Sequence, residues 1–156
     1  MSAHYCTKTT RLNHKIIFAM NNIQKVTVEL KNGRFRLTNN GKTDELNPKA
    51  LILCATAQCA GYTVMDILGK SAITPKSFEI TIQGELDTEQ VKPSSRFMNF
   101  TIIYNVECKT LADHKYVSDA IHDTQHSRCG LVALLKCAAP VNYDTAIVST
   151  ETTKMA

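Results

Sequence analysis

Two of the six cysteines, Cys59 and Cys129, stand where a thiol could do chemistry. Cys59 lies in the middle of a long apolar segment that predicts a helix, and at helical spacing Ile52, Ala55 and Asp66 share its face. A cysteine in such a helix is usually a small, buried apolar side chain. The local pattern alone therefore favours core packing over reactivity for Cys59.

Cys129 precedes a second apolar run, Leu131 to Leu135. If Ser127 caps the helix that this run predicts, Cys129 lies in the first helical turn, where unpaired N–H groups and the helix dipole favour a thiolate. Arg128 adds a positive charge beside it. Core packing is an equally good interpretation, so the pattern favours neither a reactive Cys129 thiolate nor a buried Cys129 side chain.

His122, His126 and Cys129 follow each other at offsets 0, 4 and 7. On one unbroken helix they would form a single stripe, which could bind a soft metal ion or act as a Cys–His pair. The stripe faces away from the apolar positions Val117 and Ile121, and a corner at Ser127 would break its register. Exposed histidines are therefore the favoured interpretation, and we expect no metal site.

The remaining cysteines, Cys6, Cys54, Cys108 and Cys137, form no CxxC pair, which argues against a zinc ribbon or a thioredoxin-like motif. The polar first residues lack the apolar core of a signal peptide. We therefore expect a cytoplasmic protein with free thiols and without disulfide staples. The apolar segment 50–68 is interrupted by polar residues, so we interpret it as a core helix and expect no association with a membrane.

The formal charge is +4 over 156 residues, and it is unevenly placed. Residues 1–36 carry seven Lys or Arg and one acid, whereas the rest of the chain has a small acidic excess. The chain contains no Trp and its Arg residues are scattered. A basic strand face in solvent explains this pattern better than nucleic acid binding.

Alternating apolar residues predict a β-meander in the N-terminal third, after a flexible arm over residues 1–13. Strands are expected at 15–20, at 25–31 and, after the type I′ hairpin signal Asn32-Gly33, at 34–37. Asn47-Pro48 then begins a helix, because Asn caps well and Pro suits the first helical position. The helix continues to about Leu68 and is apolar almost all round, which favours burial in a dimer.

The second half of the chain predicts two long strands, two helices and a last strand. Strands are expected near 78–82 and 100–108, helices at 113–125 and 128–137, and a strand at 141–147 before a flexible tail over 151–156. The order βββ-α-ββ-αα-β indicates an α+β protein. Residues 14–150 would form a single domain, since no linker or internal repeat interrupts them.

Two segments together resemble the OsmC/Ohr family. Residues 47–67, NPKALILCATAQCAGYTVMDI, are similar to its central helix, in which the reactive Cys follows the initial Pro by about eleven residues, as Cys59 follows Pro48. Residues 129–135, CGLVALL, are similar to the start of a later helix that carries the family's second Cys. The order of elements also matches from about 15 to 148, and the likeness is closer to the broad OsmC-like branch than to the well-defined peroxidases.

The resemblance implies a fold of antiparallel β-sheets packed on a long central helix in an intertwined homodimer. It also implies a thiol peroxidase that reduces organic hydroperoxides without a cofactor. Cys59 would become a sulfenic acid and condense with Cys129 to a disulfide. A dithiol, such as a lipoyl group, would then reduce that disulfide.

One departure from the peroxidase branch concerns the activation of the thiol. That branch carries a Glu just after the initial Pro, paired with an Arg from the N-terminal sheet, whereas this chain has Lys49 and Ala50 there. Candidate cations are Arg34, Arg36 and Lys49. Two other functions stay open: a non-catalytic dimer that binds a small apolar ligand or senses redox state through its thiols, and the metal site discussed above.

Overall fold

The computed structural model describes residues 22–151. The N-terminal arm at 1–13, the strand expected at 15–20 and the tail from 152 onwards lie outside this range, as does Cys6. Within it the order of the main elements is ββ-α-ββ-αα-β, which agrees with the α+β prediction over the same residues.

The five strands form one sheet with the order β2-β1-β3-β4-β5. The turn between the first two strands has positive φ at both central residues, Asn32 and Gly33, as a type I′ hairpin requires, so the hairpin prediction is confirmed. The strands are β1 (Ile23–Lys31), β2 (Arg34–Leu37), β3 (Ser77–Leu86), β4 (Phe97–Cys108) and β5 (Val141–Ser149).

The sheet is mixed, which corrects the expectation of antiparallel sheets. The pairs β1–β2, β1–β3 and β3–β4 are antiparallel, but β4 and β5 run parallel from the pair Phe100–Val141 to the pair Cys108–Ser149. Parallel neighbours need a long crossover. Here the two C-terminal helices supply it, and they return the chain to the end of the sheet from which β4 started.

A long helix, α1 (Pro48–Gly69), packs across the inner face of the sheet. The Asn47 side chain caps it by accepting hydrogen bonds from the amides of Lys49 and Ala50, as the sequence predicted. The helix approaches β2 closely at Gly61, where a Cβ atom would lie 2.5 Å from the ring of Phe35. The missing side chain therefore allows the middle of α1, with Cys59, to sit directly on the sheet.

The burial of α1 is one-sided. Leu53, Ala57, Ala60 and Val64 lie in the core, whereas an outer face of α1 is left in solvent. Among residues 22–151, α1 is the one helix long and apolar enough to cross a membrane, with a mean hydropathy of 1.5. Its packing against the sheet is typical of a core helix instead.

The region between β4 and β5 differs from the prediction at the start of the second helix. It contains α2 (Asp113–Asp123), a π-helical turn (Thr124–Arg128) and α3 (Gly130–Ala138). Ser127 lies inside the π-helical turn and caps nothing, because its hydroxyl donates to the carbonyl of Asp123. Cys129 itself is the extended residue that begins α3, with φ −97° and ψ 112°.

Candidate active site

The structure brings the two predicted thiols together. Cys129 Sγ lies 3.4 Å from Cys59 Sγ and donates a hydrogen bond to it, although the two residues are seventy positions apart. A disulfide bond would be about 2.05 Å long, so these are two reduced thiols in contact. Both can take part in one reaction without a large movement of the backbone.

The π-helical turn determines where Cys129 points. It widens the last turn before Cys129 and ends there, where the Cys129 amide donates to the Thr124 carbonyl at 3.2 Å. Turns of this kind occur often at functional sites. The extended backbone at Cys129 then aims its side chain at α1 rather than along the surface of α3.

The two thiols have different environments. Cys129 is 3% exposed, whereas Cys59 is half-buried and reaches an open cavity. Burial raises the pKa of Cys129, and the hydrogen bond that its thiol donates to Cys59 adds to this rise. The backbone amides of Leu131 and Val132 lie near the Cys129 sulfur and partly oppose this rise in its pKa, although neither donates a cap hydrogen bond to it. Cys129 is therefore the buried hydrogen-bond donor of this contact, and Cys59 is its accessible acceptor.

A buried polar pair that the sequence analysis missed lies close to the thiols. The Gln125 side-chain amide donates to the hydroxyl of Tyr104, and both residues are almost completely buried. Burial raises the pKa of Tyr104, and the hydrogen bond from Gln125 partly opposes this rise. Alternation on β4 placed Tyr104 in the core but gave no sign of its polar partner, because Gln125 lies in the unpredicted π-helical turn.

Cys59 opens into a cavity of about 690 Å³ between α1 and the π-helical turn. This volume lies within the range of small-molecule sites. Its wall contains both apolar and polar side chains, and the lining residues are Ala55, Gln58, Cys59, Tyr62, Thr63, Asp66, Ile67, Lys70 and Arg128. An organic molecule with a short carbon skeleton can therefore approach the Cys59 sulfur.

The three cations predicted to support Cys59 do not line this cavity. Arg34 and Arg36 alternate with Phe35, which faces α1, so both arginines project from the opposite face of the sheet. Lys49 lies ten residues before Cys59, about 15 Å along the helix, and its ammonium donates to the Pro93 carbonyl. Lys70 and Arg128 are the cations that line it instead.

The other described cysteines differ from the contacting pair. Cys54 and Cys108 are buried, and burial raises the pKa of both thiols. Cys137 is exposed, because it lies on the outer side of α3.

His122 and His126 stack on each other in solvent, with ring centroids 4.0 Å apart. Cys129 is buried against Cys59 and contributes no third group to this pair. Within residues 22–151 no group of three His, Cys, Asp or Glu side chains is arranged to hold a metal ion.

The OsmC family model, described as OsmC-like protein, matches residues 41–144. This chain belongs to the OsmC-like protein family. The matched range contains both contacting cysteines, the whole of α1 and the π-helical turn, so the family assignment rests on the part of the chain that forms the candidate site. No curated protein matches this OsmC-like chain.

Solved structures agree with the family fold. A hypothetical protein from Aquifex aeolicus VF5 aligns with a TM-score of 0.58 at 18% identity, over 84% of this chain and 98% of its own. An OsmC-like protein from Mycoplasma pneumoniae gives 0.54 at 12% identity, over 82% and 96%. An organic hydroperoxide resistance protein from Elizabethkingia anophelis gives 0.50 at 12% identity, over 81% and 96%. At these identities the likeness establishes the α+β OsmC-like fold alone.

Proposed function

We propose that this OsmC-like protein is a thiol peroxidase that reduces organic hydroperoxides through Cys59 and Cys129. The observation that carries the proposal is the 3.4 Å contact between a buried thiol and a thiol that opens into a cavity. A peroxidase of this type needs one accessible sulfur to meet the oxidant and a second sulfur within reach to release it. The match to the OsmC-like family supports a redox role, and the chain shares its fold with a protein named for organic hydroperoxide resistance.

The reaction balances as three steps. The Cys59 thiolate attacks the outer oxygen of R–O–OH, the O–O bond breaks, and the leaving alkoxide takes a proton to become R–OH. Cys59 is then a sulfenic acid, and the Cys129 sulfur attacks it, forming the disulfide and releasing water that carries the Cys129 proton. A dithiol reductant, such as a lipoyl group, reduces the disulfide and becomes a cyclic disulfide itself.

The cavity favours an organic oxidant over hydrogen peroxide. Ala55, Ile67 and the ring of Tyr62 offer apolar surface for a carbon skeleton beside Cys59. We expect kcat/KM for cumene hydroperoxide to exceed that for hydrogen peroxide by about tenfold or more, since burying an aromatic side group contributes about 1.5 kcal/mol or more. Steady-state peroxide consumption with dithiothreitol as the reductant measures both values. Equal values for the two peroxides, or no consumption of either, would leave the ligand-binding alternative as the better account.

We also propose that the protein is a homodimer that covers the outer face of α1. Leu51, Ile52 and Tyr62 on this side of α1 are 39%, 49% and 44% exposed, and a partner that covered α1 would remove this apolar surface from water. A partner on this face would also border the cavity, because Tyr62 belongs to both.

All described cysteines are free, which fits a reducing compartment such as the cytoplasm.

The dimer has a direct test. Light scattering at micromolar concentration should give twice the mass of the chain. We expect the dimer interface to bury about 2,000 Å² or more, as in obligate dimers. Replacement of Ile52 by lysine should shift the protein toward monomer, because a charge would be buried at the centre of the contact. The matched control is Leu111→Lys, since Leu111 is 65% exposed and lies away from α1. A wild-type protein that stays monomeric would refute the dimer.

A further inference from the structure

We infer that Arg128 makes the Cys59 cavity selective for hydroperoxides that carry a carboxylate or another anionic group. The inference rests on the proposed peroxidase function and adds the class of substrate and the residue that selects it. It follows from the charges, hydrogen bonds and apolar surface that line the cavity.

The cavity carries an uncompensated positive charge. Asp66, Lys70 and Arg128 are its charged residues. Lys70 pairs with Asp66 one helical turn away, at 4.0 Å. Arg128 forms no ion pair with any other residue of the described range 22–151. The described residues of one chain that line the cavity therefore carry the net charge of one arginine.

The other polar side chains of the wall are already engaged. Gln58 donates its side-chain amide to the carbonyl of Phe35 at 2.9 Å, and Thr63 donates its hydroxyl to the carbonyl of Cys59 at 2.8 Å. The hydroxyl of Tyr62 accepts from the amide of Phe35 at 3.1 Å. Among the described residues of the wall, Arg128 is consequently the strongest donor without a hydrogen bond or an ion pair, and its planar fork matches a carboxylate with two parallel hydrogen bonds.

The position of Arg128 relative to the sulfurs defines how a substrate would lie. Arg128 directly precedes Cys129, whose sulfur contacts Cys59, and it ends the π-helical turn that forms one side of the cavity. Ile67 and Ala55 belong to the opposite wall, on α1. A carboxylate at Arg128 and a carbon skeleton along α1 would leave the hydroperoxide group free to approach Cys59.

The test compares two alkylating reagents of nearly equal size that differ in charge, iodoacetamide and iodoacetate. The rate at Cys59 is followed by peptide mass spectrometry in wild type and in Arg128→Gln. We expect the ratio of the iodoacetate rate to the iodoacetamide rate to fall about two- to fivefold in the variant at low salt, the effect of one exposed ion pair. The difference should shrink at high salt, because screening removes the attraction in wild type.

Three variants serve as controls. Arg128→Lys should keep most of the wild-type ratio, since it keeps the charge. Lys70→Gln should lower the ratio less than Arg128→Gln does, because Asp66 already neutralises part of the Lys70 charge. Arg96→Gln removes the same charge from an exposed loop residue and should not change the ratio. An equal slowing of both reagents in Arg128→Gln, or an unchanged ratio, would overturn the inference.

A second readout uses the peroxidase reaction itself. Arg128→Gln should lower kcat/KM for 4-carboxy-cumene hydroperoxide about two- to fivefold more than for cumene hydroperoxide. Alkylation does not depend on peroxide chemistry. A failure of the proposed peroxidase function can therefore be distinguished from a failure of charge selection by Arg128. If neither hydroperoxide is consumed, the proposed function fails, whereas charge selection by the cavity is decided by the alkylation ratio.

Discussion

Replacement of Cys59 by serine should abolish hydroperoxide consumption, down to the rate measured without protein. The thiolate is the attacking group, and a serine hydroxyl at the same place is too weakly acidic to supply an equivalent nucleophile. Cys129 cannot take over, because it is buried and burial raises its pKa. Consumption of cumene hydroperoxide with dithiothreitol measures the effect.

The matched control for this variant is Cys137→Ser. Cys137 is an exposed thiol on α3 without a described thiol partner, so its loss should leave turnover close to that of wild type. Circular dichroism and thermal unfolding should show that both variants fold. Substantial peroxide consumption by Cys59→Ser would mean that another cysteine, or no cysteine, meets the oxidant.

Replacement of Cys129 by serine should stop the reaction after the first step. Each chain should then consume about one equivalent of hydroperoxide, because Cys59 becomes a sulfenic acid and finds no resolving thiol. Dimedone, which reacts with sulfenic acids, should label Cys59 in this variant and label wild type only weakly. Peptide mass spectrometry identifies the labelled residue.

The pKa of Cys129 gives this second step a pH dependence in wild type. Because burial raises the pKa of Cys129, its thiol is protonated at neutral pH and must lose its proton to the released hydroxyl as the disulfide forms. Disulfide formation should therefore accelerate as the pH rises toward and beyond 9.0, the ordinary pKa of a thiol.

One outcome in the Cys129→Ser variant would contradict the assignment of Cys129 as the resolving residue. This outcome is rapid formation of a disulfide between Cys59 and a different cysteine.

Much of the fold could be predicted from local chemistry. The Asn47-Pro48 start of α1, the Asn32-Gly33 hairpin and the alternation along β3 and β4 are each determined by neighbouring residues, and each agrees with the structure. The parallel pairing of β5 could not be predicted in this way. Its direction depends on the path of the two preceding helices, which no local pattern along β5 itself records.

The candidate site could also be predicted from the sequence only in part. The resemblance of two separate segments paired Cys59 with Cys129, but the direction of the Cys129 side chain depends on a π-helical turn that has no simple sequence signal. The choice of Arg34, Arg36 and Lys49 as cations followed the family pattern around the helix start. Arg128 had been noted only as a neighbour of Cys129, and its place in the Cys59 cavity depends on how α1 meets the π-helical turn.

The proposed reaction of Cys59 with Cys129 is tested most directly by the state of the two sulfurs after one equivalent of an organic hydroperoxide. Reduced wild-type protein is treated with cumene hydroperoxide, alkylated in denaturant to block free thiols, digested without a reductant and mapped by mass spectrometry. We predict an intramolecular Cys59–Cys129 disulfide, with Cys54, Cys108 and Cys137 still alkylated as free thiols. Recovery of Cys59 as a free thiol while the hydroperoxide persists would contradict this prediction.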